Sequence, residues 1–425
     1  MTAEPLPRLP QCDLVIVLPH LGPGGAQKVA LLAADHFLAA GLKVVLVTLL
    51  PDKPRTHALP DGLWWLNLGD AVSAMRSNRA LTARAGRFAR VWTRRVLAWL
   101  IVALSWPWLQ KIRPGRHAAL VQWLSISLSG AQADLLRALL SAAKPPRVLS
   151  LLTKTNLLCC QALWDLPAHL VVSERNDPRL QRLHFPWVQL QPWLWQRADR
   201  ITANTAGVLA GLQECYPGHA AAMQLLPNPL VVESLPGERK PVRDGCCGGF
   251  LAVCRLVPQK GIDLLIRAYA LLPADLRAAW PLTIAGDGPE RNGLEQLVDA
   301  LLLRDQVRFL GFQPNPQPLY RTSAVFVLPS RFEGMPNALL EAMGHGLAVI
   351  VSNASPGPLE VVMDGQSGLV FPTEMVEELA LAMQLLAQSP DMRERLGVAA
   401  QAVTQQQSWT NLDDRWRSVL ELGET

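Results

Sequence analysis

Short apolar runs recur along this chain with room for a helix between successive ones, and no other feature restricts its fold as tightly. Residues 14–18, 44–50, 147–152, 170–173, 250–253, 282–285, 307–312, 325–328, 348–352 and 368–371 are apolar throughout or nearly so. Runs of this kind, bounded by Gly, Pro and polar loops, fit strands covered on both faces. Strands joined through helices must lie parallel, because a parallel neighbour needs a crossover connection. The expectation is an α/β chain of doubly wound, Rossmann-like sheets. At 425 residues it exceeds what one core grows to, so two domains of about 200 residues each are expected. The Pro-, Gly- and charge-rich stretch 231–248 is the linker between domains at 1–230 and 249–408.

Composition narrows the classes further. Half the residues are apolar, which fits a globular enzyme and excludes a disordered chain. The seven cysteines include the adjacent pairs Cys159-Cys160 and Cys246-Cys247. There is no Cys-x-x-Cys and no His cluster, which argues against a disulfide framework or a metal site. Residues 1–11 lack the pattern of an export signal, so a cytoplasmic location is expected. Charge is uneven: residues 1–230 carry a net +12 and residues 231–425 a net −7. A basic amino half calls for an anionic surface or substrate.

The most informative loop follows the run at 325–328. Arg331-Phe332-Glu333-Gly334-Met335-Pro336-Asn337 leads into Ala338-Leu339-Leu340-Glu341-Ala342-Met343, a strong helix former that Pro336 can begin. Glu333 is thus placed above the carboxyl end of a strand and Glu341 on the first turns of the helix. The early N–H groups at Asn337 and Ala338, beside Met335, favour an anion. A nucleotide sugar supplies hydroxyls for the two acids and a diphosphate for the helix end. The alternative is a loop charge and a solvated helix residue.

This stretch resembles the Glu-x7-Glu signature of retaining glycosyltransferases of family 4, down to the Gly after the first Glu and the Pro-Asn pair. The resemblance is strong over 250–371, moderate in the amino half and weakest over 55–145. It implies the glycosyltransferase B architecture, two Rossmann-like domains facing a cleft, with the helix from 409 onward returning to brace the first domain. It assigns Glu333, Gly334 and Met335 to the donor sugar, Glu333 as the catalytic group, and Glu341 to the ribose. Cys254-Arg255-Leu256-Val257-Pro258-Gln259-Lys260-Gly261 is similar to the family's Gly-Arg-Leu-x-x-x-Lys-Gly motif, with Cys254 in place of the first Gly. Arg255 and Lys260 would then bind the donor diphosphate, the Arg bidentately and the Lys as a point charge. Asn337 and Ala338 would join them. By position, Phe312 and Gln313 line the nucleobase pocket. The chain contains no Asp-x-Asp, in keeping with an enzyme that needs neither metal nor cofactor.

In the amino half, Gly22-Pro23-Gly24-Gly25-Ala26 follows the first strand. It is neither Gly-x-Gly-x-x-Gly nor a P-loop. It matches the family's Gly-Gly loop, which implies Gly25 near the donor phosphate and Gly24 on the acceptor side. Thr153-Lys154-Thr155-Asn156 and Glu174-Arg175-Asn176-Asp177 sit at the carboxyl ends of two further strands, where open α/β sheets bind ligands. Asn156, Glu174 and Arg175 are therefore acceptor-side candidates. Ser173-Glu174-Arg175-Asn176-Asp177-Pro178 resembles a bacterial branch that assembles surface polysaccharides, often from hexosamine donors. Many relatives have a His in that loop; this chain has Glu174 and Arg175.

Between Asp70 and Asp134 there is no acidic residue, while Arg76, Arg79, Arg84, Arg87, Arg90, Arg94, Arg95, Lys111, Arg113 and Arg116 all occur there, interleaved with Trp92, Trp99, Trp106 and Trp108. The run 96–109 is too short to span a bilayer. Two readings stand side by side. One is an interfacial segment on an anionic membrane; the other is a core helix with a solvated basic face. No nucleic-acid module surrounds these residues.

The reading that results is a retaining, metal-independent glycosyltransferase. It moves a hexosyl or N-acetylhexosaminyl group from a nucleotide diphosphate donor, expected to be a UDP-sugar. The acceptor is a glycan or a lipid-linked glycan in surface polysaccharide or glycolipid synthesis. A nucleotide-sugar 2-epimerase of the same architecture and a non-catalytic membrane-associated assembly partner are the alternatives.

Overall fold

The computed structural model describes residues 9–50, 57–70, 93–104, 118–129, 131–180, 183–231 and 248–423. Arg76, Arg79, Arg84, Arg87, Arg90, Lys111, Arg113, Arg116, Trp92, Trp106, Trp108 and nearly all of the expected linker lie outside the described residues. Two compact units divide the chain. One comprises Met1–Asn204, Leu209–Leu226 and Arg415–Thr425, the other Thr205–Val208 and Pro227–Asp414.

The first unit is built on a parallel sheet of β1 (Leu14–Leu18), β2 (Val44–Thr48), β3 (Trp64–Asn67), β4 (Arg147–Leu151), β5 (His169–Glu174), β6 (Arg200–Ala203) and β7 (Met223–Leu225). Its strand order is β3-β2-β1-β4-β5-β6-β7. Every residue of β1 and β2 is buried, as befits central strands covered on both faces. Three strands, β3, β6 and β7, fall outside the apolar runs of the sequence. All four residues of β3 are half-buried, because it is an edge strand with β2 as its single neighbour. The sheet closes with β7, which pairs along the outer side of β6. The run at 44–50 ends early: the Leu49 N–H turns to the Leu18 carbonyl at 3.1 Å. The last described residues hold to this unit through the Glu421 carbonyl, which accepts from Arg147 Nε at 2.9 Å.

The second unit holds a parallel sheet of β8 (Phe250–Val253), β9 (Leu282–Ala285), β10 (Val307–Gly311), β11 (Val325–Leu328), β12 (Ala348–Ser352) and β13 (Leu369–Phe371), ordered β10-β9-β8-β11-β12-β13. Helices cover both faces. Ile262, Leu265, Ile266 and Tyr269 pack with Phe250, Leu282 and Ile284 on one side. Leu339, Leu340 and Met343 pack with Phe326, Val349 and Val351 on the other. Each such side chain contributes about 1.5–3 kcal/mol when fully buried.

Both sheets change winding direction once, between β1 and β4 in the first and between β8 and β11 in the second. A crevice opens above the carboxyl ends of the strands at such a reversal, and open α/β sheets bind ligands there. In the second unit the loops that rise from this point are 254–261 after β8 and 329–336 after β11. These are the loops that carry Arg255, Lys260 and Glu333.

Candidate active site

The two loops touch. Gly261, at φ +61, follows Lys260, and a Cβ on it would lie 2.1 Å from the Pro329 carbonyl oxygen. A side chain there would force apart the two loops that end β8 and β11. The Arg331 N–H donates to the Gln259 carbonyl at 2.8 Å, and Gln259 Nε2 donates to the Phe332 carbonyl at 2.9 Å. Arg331 also reaches back to Asp263, its Nη1 and Nη2 donating to the two carboxylate oxygens at 2.9 and 2.8 Å. Burial alone would raise the Asp263 carboxyl, but the Arg331 guanidinium more than offsets this and holds it below its ordinary value.

This scaffold presents Glu333 to Lys260. The Lys260 ammonium donates to Glu333 Oε1, and the Ser330 hydroxyl donates to the same oxygen at 2.7 Å. The Glu333 N–H donates to Ser355 Oγ at 2.8 Å, so a third loop, after β12, fixes the backbone of the same residue. Ser352 Oγ in turn donates to the Ser330 carbonyl. Glu333 is 8% exposed, which leaves one edge of its carboxylate within reach of a ligand.

Arg255 lies on the same loop as Lys260 with its side chain exposed and no ion pair among the described residues. Cys254, the departure from the expected Gly, is partly buried beside Lys260, Glu333 and Arg255. Burial first of all pushes its thiol up to about 12, so it stays protonated and acts as packing.

The helix Asn337–Gly344 begins one residue later than Pro336, which is its cap in an extended conformation. Asn337 and Ala338 are its first two residues. Asn228 Nδ2 donates to Asn337 Oδ1 at 2.6 Å and to the Met335 carbonyl at 3.2 Å, which tethers this loop and helix start. Glu341 is 4% exposed on the helix and lies beside the wholly buried Tyr320. Burial, then the Glu341 charge, raises that phenol well above its ordinary value. Phe312 and Gln313 follow β10, and Gln313 Nε2 is engaged with the Leu310 carbonyl at 2.9 Å. Arg255, Lys260, Glu333, Gly334, Met335, Asn337, Ala338 and Glu341 therefore gather around the β8/β11 reversal. Phe312 and Gln313 stand two strands away.

The other expected residues belong to the first unit. Gly24 and Gly25 sit above β1 at the start of the helix Gly25–Ala39. Asn156 lies not in a loop but on the first turn of the helix Thr153–Ala162, which starts directly after β4. It is fully buried, and its amide is engaged inside the unit. Its Oδ1 accepts from Ser150 Oγ at 2.7 Å, and its Nδ2 donates to the Ser173 carbonyl at 3.0 Å and to Glu174 Oε1 at 2.9 Å. Thr153 Oγ1 donates to Glu174 Oε2 at 2.5 Å. Burial dominates and raises the Glu174 carboxyl, and it lowers the neighbouring Arg175 guanidinium to about 10. Glu360 accepts from the N–H groups of Ala206 and Gly207 at 2.9 and 2.7 Å.

Ser330, Ser352, Ser355 and Gln259 were not anticipated as site residues, and Thr153 was expected only as part of a candidate acceptor loop. Of the first four, Ser330 alone had a signal, as the first polar side chain after a buried strand. Among the described residues no cluster of three or more His, Cys, Asp or Glu side chains is placed to hold a metal ion, and no helix is long and apolar enough to cross a membrane.

Comparison with known proteins extends this picture. Residues 249–403 match the family model "Glycosyl transferases group 1". An uncharacterized glycosyltransferase of Haemophilus influenzae is 28% identical over 171 residues, 40% of this chain and 48% of that protein. The N-acetylgalactosamine-N,N'-diacetylbacillosaminyl-diphospho-undecaprenol 4-alpha-N-acetylgalactosaminyltransferase of Campylobacter jejuni is 29% identical over 250 residues, 57% of this chain and 67% of that protein. The chain spans about half the length of the first of these curated relatives. HepE of Anabaena, solved in complex with UDP and glucose, superposes with a TM-score of 0.71 at 17% identity, covering 97% of this chain and all of that one. Both units thus have the Rossmann-like fold of glycosyltransferase B proteins.

Proposed function

We propose, from the match of residues 249–403 to the glycosyl transferases group 1 model, that this chain is a retaining glycosyltransferase. It transfers a hexosyl or N-acetylhexosaminyl unit from a UDP-sugar to a glycan or lipid-linked glycan of the bacterial cell surface. The observation that carries the reading is the Lys260–Glu333 pair at the β8/β11 reversal, beside the exposed cation Arg255 and the start of the helix Asn337–Gly344.

In this account Arg255 binds the diphosphate bidentately. Lys260 leaves Glu333 for the same anion, and the first N–H groups of Asn337 and Ala338 complete the cradle. Release of Lys260 gives the Glu333 carboxylate to the hydroxyls of the donor sugar, next to Gly334 and Met335. There it also stabilises the positive charge that develops at the anomeric carbon. Glu341 takes the ribose hydroxyls, and Phe312 and Gln313 face the base. The acceptor hydroxyl attacks on the face that the diphosphate leaves, passing its proton to the departing phosphate oxygen, and configuration is kept. These cations do the work that a divalent metal does elsewhere, so the reaction needs none.

The acceptor arrives at a membrane surface. On the helix at 93–104, Val96, Leu97, Trp99, Leu100 and Leu104 are exposed, and Trp99 meets the exposed Phe185 edge to face at 5.3 Å. This apolar strip lies within the acid-free basic stretch of the sequence and suits an anionic bilayer.

The test is nucleotide release by the purified chain with a panel of UDP-, GDP- and ADP-sugars and a membrane extract as acceptor. Acceptor-dependent release from one donor, lost in Glu333→Ala and Lys260→Ala, supports the reading. No release from any donor overturns it.

A further inference from the structure

The first unit has a cavity of about 250 Å³ at the carboxyl ends of β4 and β5. That lies just under the roughly 300–1,000 Å³ typical of sites for drug-sized ligands and suits one sugar unit. Its polar lining is Glu174, 4% exposed, with Thr153, Asn176, Gln191 and Tyr216. Leu183, Val188 and Leu212 supply apolar lining, and the exposed thiol of Cys215 borders the cavity.

The chemistry of these walls selects the occupant. The Glu174 carboxylate accepts one hydrogen bond at each oxygen, from Thr153 and from Asn156. A carboxylate has about four acceptor positions, so two remain for a ligand in the cavity. A neutral N–H donor can take up a remaining position without bringing in a charge. An ammonium would suit the carboxylate but not the apolar side. A plain hydroxyl would suit the carboxylate and leave the apolar side unfilled. An acetamido group satisfies both, with its N–H on Glu174 and its methyl against Leu183, Val188 and Leu212.

We infer that this cavity binds the acetamido group of an N-acetylated hexosamine, as the subsite for the acceptor glycan. Its role as an acceptor subsite rests on the transferase reading above; the binding of the sugar does not. Asn156 and Thr153 act through Glu174 as positioning residues. The sugar ring remains beside Cys215.

The experiment uses the full chain without nucleotide and follows alkylation of Cys215 by iodoacetamide, resolved by peptide mass spectrometry. N-acetylglucosamine and N-acetylgalactosamine are the probes; glucose and glucosamine are the controls. At roughly ten times its Kd an N-acetylhexosamine slows labelling about tenfold, as mass action on the free fraction requires. Neither control protects. Val188→Trp, which fills the cavity, and Glu174→Gln, which removes the charge, both abolish protection, and circular dichroism checks that each variant is folded. Protection that is equal for all four sugars, absent for all four, or strongest for glucosamine overturns the inference. Nucleotide release separates the two proposals. Release without N-acetylhexosamine protection sinks this subsite and keeps the transferase, whereas protection without release keeps the subsite and sinks the transferase.

Discussion

Lys260 and Glu333, 73 residues apart in the chain, meet as an ion pair because the loops that end β8 and β11 converge where the second sheet reverses its winding. Their side chains are 15% and 8% exposed. The pair serves two ends in the proposed account: it neutralises a buried acid in the resting chain and stores a cation beside the phosphate site.

Replacing Lys260 by Met leaves Glu333 as an unpaired, nearly buried acid. Breaking a fully buried pair costs about 3–5 kcal/mol, and here the open edge and the Ser330 hydroxyl reduce the loss to roughly 2 kcal/mol. The double variant Lys260→Met with Glu333→Gln recovers most of it. Urea unfolding of the three proteins, followed by tryptophan fluorescence, checks this ordering.

Gly357 is required by contact, not by its torsion. A Cβ there would lie 1.7 Å from the Gly334 carbonyl oxygen, in the peptide next to Glu333. Gly357→Ala is expected to displace that loop at a cost of roughly 1–3 kcal/mol. Activity should fall by more than stability explains, because Glu333 is moved. A variant with unchanged kcat/KM would contradict the placement.

The Asp263–Arg331 pair sets an acid limb. Burial opposes ionisation of Asp263, yet the Arg331 guanidinium prevails, so its folded-state value lies below the unfolded one. Its stabilisation is therefore full above the unfolded carboxylate range and fades as pH falls through the folded value. Asp263→Asn should lower the urea midpoint at neutral pH and flatten its decline below about pH 4. An unchanged slope would argue against the pair.

Glu174 has the opposite sign. Burial raises its carboxyl despite the Thr153 and Asn156 hydrogen bonds. The folded chain then holds a proton that the unfolded chain releases, so its contribution to stability declines as pH rises through the unfolded value toward the folded one. In Glu174→Gln this decline, read from urea midpoints between about pH 4 and 7, should vanish.

Which features were legible in the sequence follows from burial and distance. β1, β2, β11 and β12 are covered on both faces, so their apolar runs are continuous and easily recognised. β3 is half-buried at an edge and β7 has three residues, and neither leaves such a mark. Arg255, Lys260 and Glu333 could be picked out as charges directly after buried strands. Ser355 could not. It meets the Glu333 N–H across 22 residues because the loops after β11 and β12 adjoin, which is a property of strand order. Thr153 and Asn156 looked like loop residues because nothing in the sequence marks a helix that begins directly after β4. Once the helix forms, both side chains turn to Glu174.

The central claim is that the loops at the β8/β11 reversal form a nucleotide-sugar site with separate parts for phosphate, ribose and sugar. Calorimetric titration of the full chain with UDP, which carries no sugar at its diphosphate, tests it most directly. Lys260→Ala and Arg255→Ala should each weaken UDP about tenfold or more, the loss of one charge-assisted contact of roughly 1.5–3 kcal/mol. Glu341→Ala should weaken it by about tenfold through the ribose. Glu333→Gln should not weaken UDP binding, because the sugar that Glu333 serves is absent and Lys260 is released from its ion pair. Equal UDP affinity in all of these variants, or a loss confined to Glu333→Gln, would contradict the account.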